Sequence, residues 1–398
     1  MQRKGFVLSC ASAVAENQPA NKHRMQTELS SYAARLRALI AAGSAPLADG
    51  HFSGLALELF ALQFKHNAAY RKLCEARQLT PDVVTHWTRI PAVPTGAFKE
   101  LELTSLPPAE RVAVFHSSGT TKQRPSRHFH SAESLAVYEA SLWAGFAREV
   151  LGAGREALGL VILTPPPAQA PHSSLVHMFE IVRQKLGGAS VPASRAAFLG
   201  RLSEDGAWTL DFEAMLAALS PRAHRPAPRA SLLLGTAFSF VYLLDYLVER
   251  DLRVALPAGS RVMETGGYKN RSRMLPKAEL HALITERLGV PRANIICEYG
   301  MSELSSQAYD SEIHPPSSIH HPRVFHFPPW ARVQLLSPET GRAVAEGETG
   351  LIRLCDLANI FSVAAVQTED LGIRRGDGFE LVGRAQRSEP RGCSLMAA

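Results

Sequence analysis

The chain has 398 residues, 46% hydrophobic and 20% charged, an ordinary globular composition with length for one large domain or two smaller ones. Its net charge of +6 is scattered rather than gathered in a run or an aromatic-interleaved patch, so a nucleic-acid surface is not indicated; a diffuse excess suits an anionic substrate and is equally common in Arg-rich proteins. Five widely spaced cysteines (Cys10, Cys74, Cys297, Cys355, Cys393) form no C-x-x-C pair, which speaks against a disulfide framework or zinc knuckle and makes a reducing, cytoplasmic setting the expectation.

In chain order, Gln2-Arg3-Lys4 and the apolar Gly5–Ala11 have the outline of a signal peptide, but the core is too short and too broken by Ser and Cys. Met25 is a candidate start, leaving 1–25 as an extension expected to be disordered. No run of about 18 apolar residues exists, so no membrane span is expected. Leu29, Tyr32, Ala33, Leu36 and Leu39-Ile40 recur at helical spacing, and Leu55–Phe64 repeats the pattern. The prolines of Ile90–Pro94 predict an extended segment. Arg111–Phe115 reads as a strand running into a Ser/Gly/Thr loop, followed by a helix over Ala132–Val150. Strands are then expected at Leu158–Leu163, Ser231–Gly235, Arg261–Glu264 and Asn294–Tyr299, alternating with helices at Leu175–Leu186, Phe240–Arg250 and Lys277–Leu288. That alternation predicts an α/β fold with a mostly parallel sheet, here assigned to 26–323. From about Val324 the texture turns to short β segments such as Ala331–Leu336 and Gly350–Leu354, predicting a β-rich subdomain over 324–382 and a tail over 383–398.

Three segments carry chemistry. Ser117-Ser118-Gly119-Thr120-Thr121-Lys122 follows a strand, and its small residues let backbone N–H groups and hydroxyls approach a phosphate chain. It is not the G-x-x-x-x-G-K-[ST] loop, and a polar turn has a similar composition. Glu298-Tyr299-Gly300-Met301-Ser302-Glu303 ends another strand, where open α/β sheets bind ligands. An aromatic there suits stacking on a base, and Glu303 suits magnesium; an ordinary strand end with a surface Glu is the alternative. Thr368-Glu369-Asp370-Leu371-Gly372, followed by Gly383-Arg384, offers a carboxylate for ribose hydroxyls and a guanidinium for phosphate, although an Asp–Gly turn needs no ligand.

Together, in this order, the segments resemble the adenylate-forming superfamily of acyl-CoA synthetases, luciferases and adenylation domains. Ser117–Lys122 is similar to its phosphate loop, and Tyr299–Glu303 to its aromatic-Gly-x-Thr-Glu motif with Ser302 replacing Thr. Asp370 matches the ribose-binding Asp, and Gly383-Arg384 the start of the hinge. Phe115–Thr121, Met263-Glu264-Thr265-Gly266-Gly267-Tyr268-Lys269 and Glu298–Leu304 narrow the likeness to LuxE-type acyl-protein synthetases, from about residue 30 onward. The resemblance implies a large adenylate-forming α/β domain with its mobile C-terminal domain absent or vestigial, since few residues follow Gly383-Arg384. It also implies ATP and Mg2+ as cofactors and a carboxylic, in particular fatty, acid substrate. Cys393 matches the acyl-accepting cysteine, and a reductase- or carrier-like protein or coenzyme A would be the final acceptor. By the same likeness His172, His177 and Tyr268 would line the acyl pocket, with core or surface packing the plainer reading of the two histidines, and LuxE-type enzymes work in complexes, so a homo- or hetero-oligomer is admitted.

Charge dictates the first step in that reading: a carboxylate meets the α-phosphorus of ATP, and Lys269 or Arg271 after Gly266-Gly267 is the candidate cation. A thiolate at Cys393, its pKa lowered by Arg391, would then take the acyl group; a spare cysteine on a frayed tail is the plainer reading. His314, His320, His321 and His326 gather in a Pro-rich stretch at no zinc spacing. No G-x-S-x-G elbow and no G-x-G-x-x-G turn is present. The rivals are a phenylacetate-type acyl- or aryl-CoA ligase, an adenylate-only relative, and a nucleotide- or acyl-binding protein without turnover.

Overall fold

The computed structural model describes residues 18–43, 45–117, 124–152, 158–187, 196–204, 206–219, 230–267, 272–310 and 323–385, with backbone alone at 18–26 and 196–197. Its elements in order are α1 (Gln18–Ala42), α2 (Asp49–His66), α3 (Ala68–Ala76), β1 (Val93–Pro94), α4 (Ala97–Glu100), β2 (Ala113–His116), β3 (Arg127–His130), α5 (Ala132–Phe146), β4 (Gly159–Ile162), α6 (Ser174–Leu186), β5 (Ala196–Phe198), β6 (Gly200–Leu202), β7 (Trp208–Leu210), α7 (Phe212–Leu219), β8 (Ser231–Thr236), α8 (Ala237–Glu249), β9 (Arg261–Thr265), α9 (Lys277–Leu288), β10 (Ile295–Tyr299), β11 (Ala308–Tyr309), β12 (Ala331–Leu336), β13 (Thr349–Asp356), β14 (Ala365–Arg375) and β15 (Gly378–Arg384).

The fold is α/β, as the alternating pattern predicts. Six strands form one sheet in the order β11-β10-β9-β8-β4-β5, all parallel except the antiparallel edge pair β10–β11. Both faces are covered, which is why its strands are apolar on both sides. In β8, Leu233 enters the core under α8 and α9, whereas Leu232 and Leu234 enter the core under α5 and α6. Helix starts follow local chemistry: Ser131 caps α5 in a reciprocal box with Ser134, and the Ser173 and Thr236 side chains accept from the first turns of α6 and α8. Helix α9 stops at Gly289, whose φ of 68° suits glycine.

A second, five-stranded sheet has the order β1-β14-β13-β12, with β15 also on β14. It borrows β1 from far upstream, so this layer is not confined to the C-terminal segment expected to form it; Pro94 is tolerated because β1 lies at an edge. Its core is shared with α1, α2 and α3. The buried Gln63 of α2 ties the two parts together: its amide donates to the Asn359 and Ile360 carbonyls at 2.7 and 3.1 Å, and its carbonyl accepts from Ala364 N–H at 2.9 Å.

Two further expectations are corrected. Helix α1 begins at Gln18, inside the segment expected to be disordered. The helix expected over 132–150 is α-helical to Phe146 and continues as a π-turn over Ala147–Leu151. Asp370 and Gly372, where an Asp–Gly turn is the plainer alternative, lie inside an 11-residue strand; a register shift against β15 at Leu371/Gly372 absorbs the irregularity. Among the described residues no helix is long and apolar enough to cross a membrane.

Candidate active site

Strands β4, β8, β9 and β10 run parallel, so their carboxyl ends share one edge, where the connecting loops form a binding crevice. At the end of β10, Gly300 has a specific reason to be glycine: a Cβ there would stand 2.2 Å from Glu298 Oε1. The Glu298 carboxyl is folded against that turn and is hydrogen-bonded to the Thr265 hydroxyl at the end of β9. Burial, reinforced by the charge of Glu264 and only partly offset by the Thr265 hydrogen bond, raises its pKa to about 7.

Three residues farther on, Glu303 is only 5% exposed. Ser126 Oγ donates to its Oε1 at 2.6 Å, Ser302 Oγ donates to its Oε2 at 3.0 Å, and Asn359 Nδ2 donates to its backbone carbonyl at 2.8 Å. Ser126 in turn faces Ser117: its N–H donates to Ser117 Oγ at 3.0 Å, and Ser117 N–H donates to the Ser126 carbonyl at 3.4 Å. The two serines thus bring the residues flanking the Ser/Gly/Thr loop together, with Ser126 against Glu303. His128, buried on β3, bonds the Ser302 carbonyl through Nδ1 at 2.8 Å. Burial lowers the His128 pKa to about 4, so the ring is neutral at neutral pH. Among the described residues, the side chains around Glu303 thus offer hydroxyl and carboxylate oxygens without a competing cation, a donor set that fits a hard divalent ion such as magnesium. Among the described residues no group of three or more His, Cys, Asp or Glu side chains could hold a metal.

The third segment joins here. Tyr299 Oη donates to Asp370 Oδ2 at 2.9 Å, and Arg384 Nε lies 3.5 Å from Asp370 Oδ1. Arg384 is paired with Asp370 in the β14–β15 register and its side chain is 81% exposed. The Tyr299 ring is buried among Phe325, Phe327 and Phe379, which meet it edge-on. Those three rings belong to segments that sequence spacing did not connect.

Gly266 and Gly267 follow the end of β9; among the described residues neither has an atom within 4 Å of a would-be Cβ, and Gly266 has φ of 70°. Behind them, on the opposite sheet face, Glu264 is buried under Lys277 (Nζ–Oε2 2.5 Å) and His281 (Nε2–Oε1 3.3 Å), with Cys297 Sγ 3.3 Å from the ammonium. His172 and His177 stand near β2 rather than at Glu303. His172 Nδ1 contacts the Val114 carbonyl at 3.2 Å and its ring packs on His116, while His177 pairs with Glu139 at 3.1 Å and packs on Phe115 and Tyr138. His326 bridges to Tyr309 and faces Asp377 at 3.4 Å. Ser118, Gly119, Thr120, Thr121, Lys122, Tyr268, Lys269, Arg271, His314, His320, His321, Arg391 and Cys393 lie outside the described residues.

Sequence reasoning missed Ser126, His128 and Asn359. The one available signal was that Ser126 ends the loop directly before a strand; Asn359 comes from a segment without motif character.

Residues 49–398 match the family model described as acyl-protein synthetase, LuxE. A long-chain-fatty-acid–luciferin-component ligase of Aliivibrio fischeri is 24% identical over 357 residues, covering 86% of this chain and 87% of that protein. The Vibrio harveyi protein of the same description is 23% identical over 343 residues, covering 83% of each. Among solved structures, an open conformation of 2-hydroxyisobutyryl-CoA ligase with 2-HIB-AMP and CoA has TM-score 0.60 at 15% identity, over 86% of this chain and 71% of that one. Its thioesterification-state structure has TM-score 0.61 at 16% identity, over 86% and 69%. These likenesses establish the adenylate-forming fold.

Proposed function

The chain belongs to the LuxE family of acyl-protein synthetases and is a ligase, and from that premise we propose that it joins a fatty acid to AMP at the Glu303 crevice, passes the acyl group to Cys393 and delivers it to a protein acceptor. The observation that carries the reading is the convergence of the Ser117–Ser126 loop neck, the Ser302–Glu303 carboxylate and the Tyr299–Asp370–Arg384 chain at one sheet edge. Names of the relatives supply the acid class: both are fatty-acid ligases.

In the first half-reaction an oxygen of the acid's carboxylate attacks the α-phosphorus of ATP, and the bond to pyrophosphate breaks with its electron pair leaving on pyrophosphate. Two anions must meet, so the residues' task is placement and charge compensation. Ser117 to Lys122 would take the phosphates, Asp370 and Arg384 the ribose and neighbouring oxygens, and Lys269 or Arg271 the developing charge. Glu298, Tyr299, Gly300, Gly266 and Gly267 would shape the floor beneath nucleotide and acid, with His172, His177 and Tyr268 toward the acyl chain. A divalent cation held by Glu303 would supply further neutralisation of phosphate charge. In the second half-reaction the Cys393 thiolate attacks the acyl carbon, a thioester forms and AMP leaves.

Carboxylate-dependent exchange of labelled pyrophosphate into ATP, run across straight-chain, short and aryl acids, tests the first half. We expect exchange with straight-chain fatty acids; absence of exchange with every acid in protein that binds ATP would overturn stand-alone activation. Labelled acid should remain on the denatured wild-type chain and be lost in Cys393→Ser with exchange retained. An unaltered Cys393→Ser protein that releases a CoA thioester would make it a CoA ligase instead.

A further inference from the structure

Ser126 lies outside every motif read from the sequence, yet it is 0% exposed and touches two parts of the site at once. Its backbone closes the loop neck with Ser117, and its hydroxyl donates to Glu303 Oε1 at 2.6 Å across 177 positions of sequence. Its Oγ also stands 3.5 Å from Ser302 Oγ. Glu303's other carboxylate oxygen is held locally by Ser302, the next residue in the chain, so Ser126 is the carboxylate's distant hydrogen-bonding side chain. Each carboxylate oxygen has two acceptor directions, and among the described residues one hydroxyl occupies one direction on each.

The chemistry of the donor matters as much as its place. A lysine or arginine in this position would orient Glu303 equally well but would cancel the charge a cation needs. A serine hydroxyl orients without neutralising, and His128 behind Ser302 adds no charge at neutral pH either.

We propose that Ser126 is a positioning residue: its hydroxyl locks the Glu303 carboxylate to the Ser117–Ser126 pairing, so that the cation-binding carboxylate is held preset for the magnesium nucleotide. The proposal rests on the reading of Glu303 as the magnesium carboxylate. It implies that losing the hydroxyl weakens the response to magnesium rather than the binding of ATP as such.

The test is the ATP dissociation constant, measured by titration calorimetry with EDTA and again with excess Mg2+, for wild type, Ser126→Ala and Ser126→Thr. Wild type should bind ATP more tightly with Mg2+. Ser126→Ala should lose about tenfold of that tightening, the size expected for one hydrogen bond to a charged group, while its metal-free constant stays put. Ser126→Thr should restore it. In pyrophosphate exchange, the Mg2+ concentration for half-maximal rate should rise in Ser126→Ala and return in Ser126→Thr. If Ser126→Ala does not fold, Ser126→Cys, a weak donor of similar shape, takes its place with the same expectations. Unchanged Mg2+ tightening in the variant, or an equal weakening with and without Mg2+, would overturn the positioning role. Wild type that gains nothing from Mg2+ would instead remove Glu303's assignment and, with it, this inference.

Discussion

Two buried carboxylates sit one register row apart on β9 and β10, on opposite faces of the same sheet, and end in opposite states. Burial raises the pKa of both. For Glu264 the ammonium of Lys277 and the ring of His281 outweigh burial and hold the carboxyl at about 2. Glu298 has the Thr265 hydroxyl instead of a cation, and it is left at about 7. The partner, not the depth, decides the charge, and the sheet separates a permanently ionised anchor behind the glycine loop from a carboxyl on the crevice side that titrates near neutrality.

The largest test of that contrast is to strip the cation. Lys277→Met should cost about 4 kcal/mol in denaturant unfolding, short of the top of the range for buried pairs because 42% of the lysine side chain stays in water. Adding Glu264→Gln should return a large part, because the damage is an uncompensated charge rather than a lost contact. A single variant no worse than the double would break the comparison.

Next comes pH. Glu298 has a folded pKa above its unfolded value of 4.5, so the native state keeps a proton that the unfolded chain releases. Its contribution is complete below about pH 4.5, is lost as pH rises towards 7, and is level above. Glu264, with its folded value lowered to about 2, contributes fully above pH 4.5 and loses that contribution on acidification towards 2. Stability measured from pH 4.5 to 8 should therefore move in favour of Glu298→Gln by about 3 kcal/mol relative to wild type. Parallel profiles would show that Glu298 is ionised throughout.

The smallest expected effect belongs to Gly300→Ala. The new Cβ would displace the Glu298 carboxyl from its place 2.2 Å away and break the Thr265 contact, for about 1–2 kcal/mol. In a Glu298→Ala background the same change should be close to neutral, so a double-mutant cycle reads the coupling directly. Additive costs would mean that the turn, not the carboxyl, requires glycine.

The parts of this arrangement that the sequence made legible are those in which one strand delivers several residues to the edge. Tyr299, Gly300, Ser302 and Glu303 leave a single apolar strand, so naming the strand placed them together. Asp370 was assigned a role without its setting: Asp and Gly favour turns, yet cross-strand pairing of β14 on both sides overrides the local preference. Gly372 fits the strand because Phe379 and Ile352 crowd its Cα, leaving a Cβ contacts of only 3.2 and 3.3 Å. Ser126 and Asn359 were invisible for another reason. Their roles exist only through contacts 177 and 56 positions away, and one polar residue in a loop carries no period to betray them. The short strands β5, β6 and β7 and the 8-residue α7 passed unnoticed because a few residues cannot establish a pattern.

The bond from Gln63 to the Ile360 carbonyl has a consequence in time. The two residues are 297 positions apart, so at ribosomal speeds of about 5–20 residues per second α2 is made roughly 15–60 s before its partner. Through that interval the helix carries Phe52, Ala56, Leu59 and Phe60, all buried in the finished protein, with the far side of their core not yet synthesised. Assembly of this layer is gated by translation, and the nascent chain's exposure to misassociation is set by the distance between a glutamine and the loop it clasps.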